Sequence, residues 1–287
     1  MNTKITLLLI LALLSVSTSP IVGRALVGVG AISISFWRML IASIILWIVS
    51  IIRPQGKMKV PSNYNKTVCA GILLGIHFVL FFEAVKITKI ANATFLGTLA
   101  PFFTLLVELY ILKRYYNKKV ILGLLFTLMG SLIILGYQFN LESKYTIGNL
   151  YAILCSISIA AALMIGEKVR ENESTIVYTR TLYLSAAFTL FIISIFANEK
   201  LFNHEFNEYL GLIFLGLVPT ILGHNSIYYS IKYVSPTIVA AFPLGEPIIA
   251  TIFAFFIFSE SITLNIFIGG LITLTGLILI SIYKKIK

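Results

Sequence analysis

The residue with the clearest chemical potential is Glu246, which stands between Pro243 and Pro247 in an apolar run. In a helix that begins at Pro236, it would lie about 16 Å from either end of that helix, at 1.5 Å per residue. Each proline removes one backbone hydrogen bond and frees the carbonyl four residues before it. A carboxylate beside free carbonyls suits an ammonium group, a proton or a sodium ion. The alternative is a structural Glu that bonds to a neighbouring helix.

A second proline marks a related point in the first half of the chain. In a continuous helix, Pro101 would free the carbonyl of Gly97. Thr94, Thr98 and Glu108 follow three- and four-residue spacings around this proline and would share its face. That face could line a path through the protein, or the threonines could bond back to their own helix. We expect Glu108, which lies near a helix end, to be solvated or paired.

Two histidines fall in the middle of apolar runs, one in each half of the chain. His77 and His224 could gate protons near neutral pH, or remain neutral between helices. Asn225 and Tyr228 follow His224 and would add polar groups to the same helix. These residues therefore belong to a candidate substrate or ion path.

Two arginines, Arg38 and Arg180, lie near helix starts at matching places in the two halves. Such an arginine could snorkel or bond to a loop carbonyl, which favours an architectural role. For Arg38, recognition of a substrate carboxylate is the other interpretation.

The composition determines the solvent that surrounds these groups. Of 287 residues, 59% are hydrophobic and 11% are charged, whereas a soluble domain carries roughly 25% charged residues. So few charges cannot cover a water-soluble surface, and lipid must be the main solvent. The net charge is +11, but the basic residues form short clusters between apolar runs. We therefore predict a lipid bilayer, and no nucleic acid, as partner.

Several chemistries are disfavoured by what the sequence lacks. All 11 acidic residues are Glu, which disfavours an aspartyl-phosphate pump, a Walker-B ATPase and an Asp-based magnesium site. Cys69 and Cys155 have no neighbours at zinc spacing, and we expect both to be small buried side chains. We predict no catalytic residue, no metal and no cofactor. An intramembrane or lipid-modifying enzyme would need a convergent nucleophile, base or metal and is a weaker alternative.

The apolar runs predict an all-α integral membrane protein, because a spanning helix needs about 20 apolar residues. Ten such helices are predicted: Ile5–Gly23, Ile32–Ile52, Thr67–Val85, Ile90–Leu112, Lys119–Gln138, Ile147–Gly166, Thr175–Ala197, Glu208–Ile231, Pro236–Phe258 and Leu264–Tyr283.

The distribution of basic residues predicts the orientation of these helices. With the N-terminus inside, fifteen Lys and Arg residues fall on the inner side and five on the outer side. Basic residues are enriched in cytoplasmic loops, so both termini should face the cytoplasm. The first helix could instead be a signal peptide, and the charge count cannot distinguish the two interpretations.

An internal repeat favours keeping the first helix. An offset of 146 residues aligns Pro101 with Pro247 and pairs the glycines of the fifth and tenth predicted helices: Gly123 with Gly269 and Gly130 with Gly276. Each repeat then has five helices, and an odd number requires the second repeat to be inverted. We predict repeats over residues 1–140 and 141–287. The paired glycines indicate helix packing within or between protomers, and a homodimer is one assembly that they allow.

The order of these features resembles the drug/metabolite transporter superfamily, in its ten-helix branch with two EamA-type domains. The resemblance covers the whole chain and rests on Trp37-Arg38, Pro101, Glu246-Pro247, Ser259-Glu260 and the paired glycines. One departure is Lys113-Arg114, where the family pattern usually has Gly-Glu.

The resemblance implies a secondary transporter in the plasma or inner membrane that moves small organic metabolites by alternating access. Relatives export amino acids and their analogues, and some import compounds such as S-adenosylmethionine, so the resemblance fixes neither substrate nor direction. We expect export of amino acids or their derivatives, with a proton as one coupling ion to consider. A nucleotide-sugar or lipid translocator of the same superfamily is the alternative. The substrate or ion path would include Glu246, Pro247, Pro101, Thr98, His77, His224, Asn225, Tyr228 and Arg38.

Overall fold

The computed structural model describes residues 2–88, 90–135, 142–246, 248–249, 252–253 and 264–282. Every regular element in these ranges is helical. Part of the ninth predicted helix lies outside them, and so do the candidate residue Pro247 and the Ser259-Glu260 pair.

The described residues of the first half of the chain form seven α-helices, labelled in chain order. They are α1 (Thr3–Val16), α2 (Ser19–Ala25), α3 (Ala31–Ile52), α4 (Ser62–Ile87), α5 (Ile90–Gly97), α6 (Ala100–Leu106) and α7 (Lys118–Leu135). A π-helical turn at Val107–Ile111 continues α6.

The second half contains six further α-helices in the described ranges. They are α8 (Thr146–Arg170), α9 (Thr175–Ala197), α10 (Phe206–Leu215), α11 (Asn225–Ser230), α12 (Pro236–Ala241) and α13 (Leu264–Ser281). A π-helical segment at Gly216–His224 joins α10 to α11, and a 3-10 turn at Phe242–Gly245 follows α12.

Local sequence signals explain several of these boundaries. Ser174 precedes α9, and its side chain accepts a hydrogen bond from the backbone N–H of Val177 at 3.3 Å. Asn198 ends α9 in the left-handed conformation, with φ of 52°. Ser235 caps α12, and Pro236 takes the first helical position, where a missing N–H is harmless.

Eight helical segments in the described ranges are long and apolar enough to cross a membrane. They are Thr3–Ala25, Ala31–Ile52, Ser62–Ile87, Asn92–Ile111, Ser143–Arg170, Thr175–Ala197, Phe206–Ser230 and Leu264–Ser281. The apolar helix α7 and the shorter apolar stretch Pro236–Gly245 lie in the fifth and ninth predicted segments. The chain is therefore a multi-pass membrane protein.

Three of the predicted helices are interrupted, and the interruption of the fourth at Pro101 agrees with the break expected there. The first is broken between α1 and α2, where Pro20 begins the second piece. The fourth is broken after Gly97, and Pro101 lies in the first turn of α6 instead of in a helix interior. The eighth changes to π-helical bonding around Pro219, which has no N–H to donate. In each case the proline interrupts the α-helical hydrogen-bond ladder.

Loops that were predicted to lie on the same side of the membrane contact each other. On the predicted inner side, the carboxylate of Glu173 accepts hydrogen bonds from the backbone N–H groups of Lys59 and Val60 and from the side chain of Asn63, all at 3.0 Å. On the predicted outer side, Glu199 accepts a hydrogen bond from the N–H of Ser33 at 2.8 Å. The contacts agree with an alternating path of the chain.

Glu173 links two loops, and its charge should make that link depend on pH. Burial opposes its ionisation, but the three hydrogen bonds outweigh burial and lower the pKa of Glu173 below its ordinary value. An unfolded Glu titrates near pH ~4.3, so this stabilisation is complete above about pH 5 and is lost as the pH falls through the lowered folded pKa.

Glu173→Gln is therefore expected to lower stability at pH 7 by about 1–3 kcal/mol, because a charged acceptor of buried hydrogen bonds is lost. The difference in Tm between wild type and variant should shrink as the pH falls below about 4. Thermal unfolding in detergent across this pH range measures it. Glu171→Gln, which alters an exposed carboxylate, is the control with little effect at any pH. A Tm difference that is constant with pH would contradict the prediction.

The paired glycines lie at a close crossing of two helices, and they pack within the chain. A Cβ atom on Gly130 would lie 2.5 Å from the backbone N of Thr273 and 2.6 Å from the carbonyl oxygen of Gly269. Gly123 and Gly276 meet in the same way. The predicted role of these glycines in helix packing is confirmed, because they let α7 and α13 approach closely where they cross.

Gly130→Ala is expected to destabilise the protein by about 1–3 kcal/mol, because the new methyl group meets backbone atoms that cannot move separately from their helix. Its Tm in detergent should fall clearly below that of wild type. Gly270→Ala is the matched control in α13, since a Cβ there meets no atom of the described residues within 4 Å. Equal losses for the two variants would show that the close approach is not the cause.

One expectation about the cysteines is wrong. Cys155 is buried as predicted, but Cys69 is exposed on the outside of α4. A cysteine behaves as a small apolar side chain, so a lipid-facing position suits it as well as an interior one.

Candidate functional site

The helix interruptions surround an interior cavity of about 80 Å³. Its lining is mainly apolar and comes from both halves of the chain. The lining residues are Val16, Ser19, Arg38, His77, Phe78, Phe81, Gly97, Thr98, Ala100, Ile159, Leu163, His224, Ile227, Ala240, Pro243 and Glu246. Five of the residues singled out from the sequence therefore lie around one space: Arg38, His77, Thr98, His224 and Glu246.

Arg38 projects from α3 and is 1% exposed. Its Nε donates a hydrogen bond to the Thr220 hydroxyl at 2.7 Å, and its Nη1 donates one to the Ser19 hydroxyl at 3.0 Å. The guanidinium carbon lies 4.1 Å from the ring centre of Phe78, which adds a cation–π contact. Nη2 has no hydrogen-bond partner in the described part of the chain. One nitrogen of a firmly held cation is thus left to bind something else.

Glu246 follows the 3-10 turn that Pro243 introduces and is 5% exposed. Its Oε1 is buried, with no hydrogen-bond partner among the described residues. Arg38 lines the same cavity. The predicted helix distortion at Pro243 is therefore observed, and the Glu246 carboxylate that follows it lies at the cavity.

The two histidines meet across the cavity, with ring centroids 6.4 Å apart. His77 Nδ1 lies 3.0 Å from the carbonyl oxygen of Cys155 and 3.1 Å from its sulfur. A carbonyl can only accept, which assigns the proton of neutral His77 to Nδ1. His224 Nδ1 is buried and has no partner within the described ranges. The π-helical bonding of Gly216–His224 aims both Thr220 and His224 inward, and such segments recur at functional sites.

Other sequence-predicted residues lie near the cavity without lining it. Asn225 accepts a hydrogen bond from the Tyr183 hydroxyl at 3.3 Å. The ring of Tyr228 packs on Tyr178 with centroids 5.4 Å apart. Pro101 is buried at the start of α6, beside the lining residue Ala100.

The face predicted for the fourth helix is only partly correct. Thr98 lines the cavity while it also bonds back to the Thr94 carbonyl at 2.9 Å, so both interpretations of this threonine hold. Glu108 is fully buried away from the cavity and is paired with Arg114. The break after Gly97 and the π turn change the helical period, and the predicted common face does not survive them.

Arg38 and Arg180 differ in their surroundings despite their matching sequence positions. Arg180 donates to the carbonyl of Gly56 at 2.5 Å and to the Ser50 hydroxyl, as expected for an architectural residue. Arg38 bonds to side chains at the cavity instead of to a loop carbonyl. Sequence reasoning missed its partners Ser19 and Thr220, and the only signal for them was their position beside Pro20 and Pro219.

The cavity can hold a solute that carries both a negative and a positive group. The guanidinium and the carboxylate each present a polar atom that has no partner among the described residues, in surroundings that are otherwise mostly apolar. Buried charges are stable only when they are paired. A bound zwitterion would satisfy both at once.

Comparison with known proteins relates the sequence of this chain to a family of transporters. The family model described as "EamA-like transporter family" matches residues 3–136 and again residues 146–282. An uncharacterized transporter of Archaeoglobus fulgidus is 27% identical, with 97% of this chain and 98% of that protein covered. The pseudopaline exporter CntI of Pseudomonas aeruginosa is 23% identical, covering 77% of this chain and 76% of its own.

The fold also has a counterpart among solved structures. A crystal structure superposes with a TM-score of 0.83 and covers 97% of this chain and 96% of its own, at 17% sequence identity. At this identity the likeness concerns the fold alone.

Proposed function

This chain belongs to the EamA-like transporter family, and from that premise we propose that it exports small zwitterionic metabolites, such as amino acids or their derivatives, by alternating access. Because the family is one of transporters, the chain is a transporter and not an enzyme. Its substrate, direction and mechanism form the proposal.

The observation that carries the proposal is the placement of Arg38 and Glu246 on one small cavity. A substrate carboxylate would bind Nη2 of Arg38, and a substrate ammonium would bind Oε1 of Glu246. The remaining surface, formed by residues such as Phe78, Phe81 and Leu163, would accept an apolar side chain.

The size and charge of the cavity argue against a nucleotide sugar. Its volume of about 80 Å³ is well below the ~300–1,000 Å³ of pockets that hold drug-sized ligands. Among the described lining residues, Arg38 is the one fixed cation, whereas a diphosphate favours several.

The direction and orientation rest on the basic residues and on one relative. The excess of Lys and Arg on one side favours cytoplasmic termini in a plasma or inner membrane. The relative from Pseudomonas aeruginosa is named as an exporter. Export of the substrate from the cytoplasm is therefore the direction we propose.

The mechanism we propose is rocking of two inverted five-helix repeats, residues 1–140 and 141–287, about the cavity. This arrangement needs ten membrane spans. The eight long apolar segments would be joined by α7 and by the span that begins at Pro236. The interruptions at Pro101 and Pro243 lie at the cavity in opposite halves, as expected for sites built from broken helices. Glu246, His77 and His224 are the groups that could carry a coupled proton.

Counterflow in proteoliposomes tests the proposal. Purified protein would be tested with a panel of labelled amino acids, S-adenosylmethionine and nucleobases, with and without a pH gradient. Saturable flux of one class of zwitterion is the expected result, and a response to the gradient would add proton coupling. Flux confined to nucleobases, or no flux from folded protein, would contradict it.

A further inference from the structure

A second cluster of charged residues lies at the end of α6, away from the cavity, and the carboxylate of Glu108 is its centre. This carboxylate is 0% exposed and accepts hydrogen bonds from Arg114, from the Thr237 hydroxyl and from the Tyr116 hydroxyl, the last at 2.5 Å. The backbone N–H of Thr237 also donates to it, at 3.3 Å. Glu108 is thus a fully buried anion with a complete set of partners.

Arg114 connects this anion to the other half of the chain. Its Nη1 and Nη2 each lie 2.9 Å from an oxygen of Glu167, near the end of α8. Lys113 adopts φ of 51°, which turns the loop back so that the N–H of Arg114 bonds to the Glu108 carbonyl at 2.8 Å. One guanidinium therefore joins the first half of the chain to the second.

The cluster lies directly beyond the cavity along two packed helices. Ala100 of α6 and Ala240 of α12 line the cavity. About one turn further along, the hydroxyl of Thr237 lies 3.0 Å from that of Thr104. The next layer is the Glu108 cluster. A solute that leaves the cavity between α6 and α12 would have to separate these two layers.

We infer that Glu108, Arg114 and Glu167 form the cytoplasmic gate of the transporter. The inference rests on the proposed function, because the repeats must move and the end of α6 must face the cytoplasm. Arg114 holds the gate closed by pairing with both halves, and opening releases its bidentate pair with Glu167. Movement of α12 at Thr237 is transmitted through the 3-10 turn to Glu246 in the cavity.

The sequence offers an independent reason to single out Arg114. The 146-residue offset of the repeat pairs it with Glu260, so the two halves carry opposite charges at this position. In the first half, an acidic residue there would face Glu108 and Glu167 with no counter-charge. An arginine converts two carboxylates that would repel each other into a closed network.

Labelling of Cys155 reports the state of this gate without any substrate. Its sulfur lies 3.1 Å from the cavity residue His77, and the exposed Cys69 is replaced by Ser. A membrane-impermeant methanethiosulfonate reagent is added to the cytoplasmic face of inside-out vesicles. Arg114→Gln is expected to increase the labelling rate of Cys155 at least tenfold. Lys118→Gln, which removes an exposed charge at the start of α7, is expected to keep the wild-type rate.

Glu167→Gln provides a milder test in case Arg114→Gln does not fold, since it weakens the bidentate pair and leaves Arg114 on Glu108. It should also accelerate cytoplasmic labelling. Wild-type rates in both folded variants, or faster labelling from the outer face alone, would overturn the gate. Because no transported solute is used, faster cytoplasmic labelling would support the gate even if no zwitterion were transported. If the protein transports a zwitterion but the variants label Cys155 at the wild-type rate, the gate is disproved and the proposed function is not affected.

Discussion

Glu246→Gln is expected to reduce counterflow of the transported zwitterion by about 100-fold, with the protein still folded. The variant keeps the shape of the side chain but loses the charge that would bind the substrate ammonium. Removing one partner of a buried charge pair costs about 2–5 kcal/mol, and each 1.4 kcal/mol is a factor of ten. Initial rates in proteoliposomes, normalised to the amount of monodisperse protein, measure the effect.

Glu83→Gln is the matched control for this prediction. Glu83 lies in the membrane helix α4 and is partly buried, but it does not line the cavity. Its replacement should leave the counterflow rate within about twofold of wild type, as for a partly solvated charge. A normal counterflow rate in well-folded Glu246→Gln would show that Glu246 does not bind the substrate.

Arg38→Lys is expected to raise the KM for the zwitterion at least tenfold. Lysine keeps the positive charge, but a compact ammonium cannot hold Thr220 and Ser19 and also present a nitrogen to the substrate, as the guanidinium fork does. The loss of a charge-assisted hydrogen bond is worth about 1.5–3 kcal/mol. The concentration dependence of counterflow separates this effect on KM from an effect on the maximal rate.

Arg180→Lys is the control from the corresponding place in the other half. Its guanidinium contacts Ser50 and Gly56 and does not line the cavity. The variant should lower Tm and leave KM unchanged, whereas Arg38→Lys should change KM. Equal changes in KM would show that both arginines act only through the architecture.

Four ionisable residues that the sequence singled out lie around one cavity, whereas several helices around that cavity depart from the predicted ones. An ionisable residue in an apolar run needs a partner or a function wherever it lies, so Arg38, His77, His224 and Glu246 could be singled out before the fold was known. All four line the cavity. Such residues can be recognised from their apolar surroundings alone, without accurate helix boundaries.

The polar partners of these residues could not be predicted, because they depend on local departures from the α-helix. Thr220 reaches Arg38 through a π-helical segment, and Ser19 does so from the break between α1 and α2. A regular 3.6-residue period describes neither position. The same limit explains the wrong prediction for Glu108. A continuous helix would put Glu108 on the same face as Thr98, which lines the cavity, whereas in the structure Glu108 pairs with Arg114 away from the cavity.

Charged groups have two different roles at two of the places where the halves of the chain meet. At the cavity, Arg38 and Glu246 each have a polar atom with no partner in the part of the chain that the structure describes, which suits the binding of a dipolar solute. At the end of α6, Glu108 and Glu167 share Arg114. A group that must bind and release a substrate keeps unfilled capacity, whereas a group that holds two repeats together has its partners within the protein.

The most direct test of the account is binding of a matched set of ligands to the purified wild-type protein. Isothermal titration would compare the transported zwitterion with its methyl ester, which lacks the anion, and its N-acetyl derivative, which lacks the cation. We expect the zwitterion to bind at least tenfold more tightly than either derivative, because Arg38 and Glu246 each bind one of its charges. If either derivative binds as tightly as the zwitterion, the two charges of the cavity do not hold the substrate together.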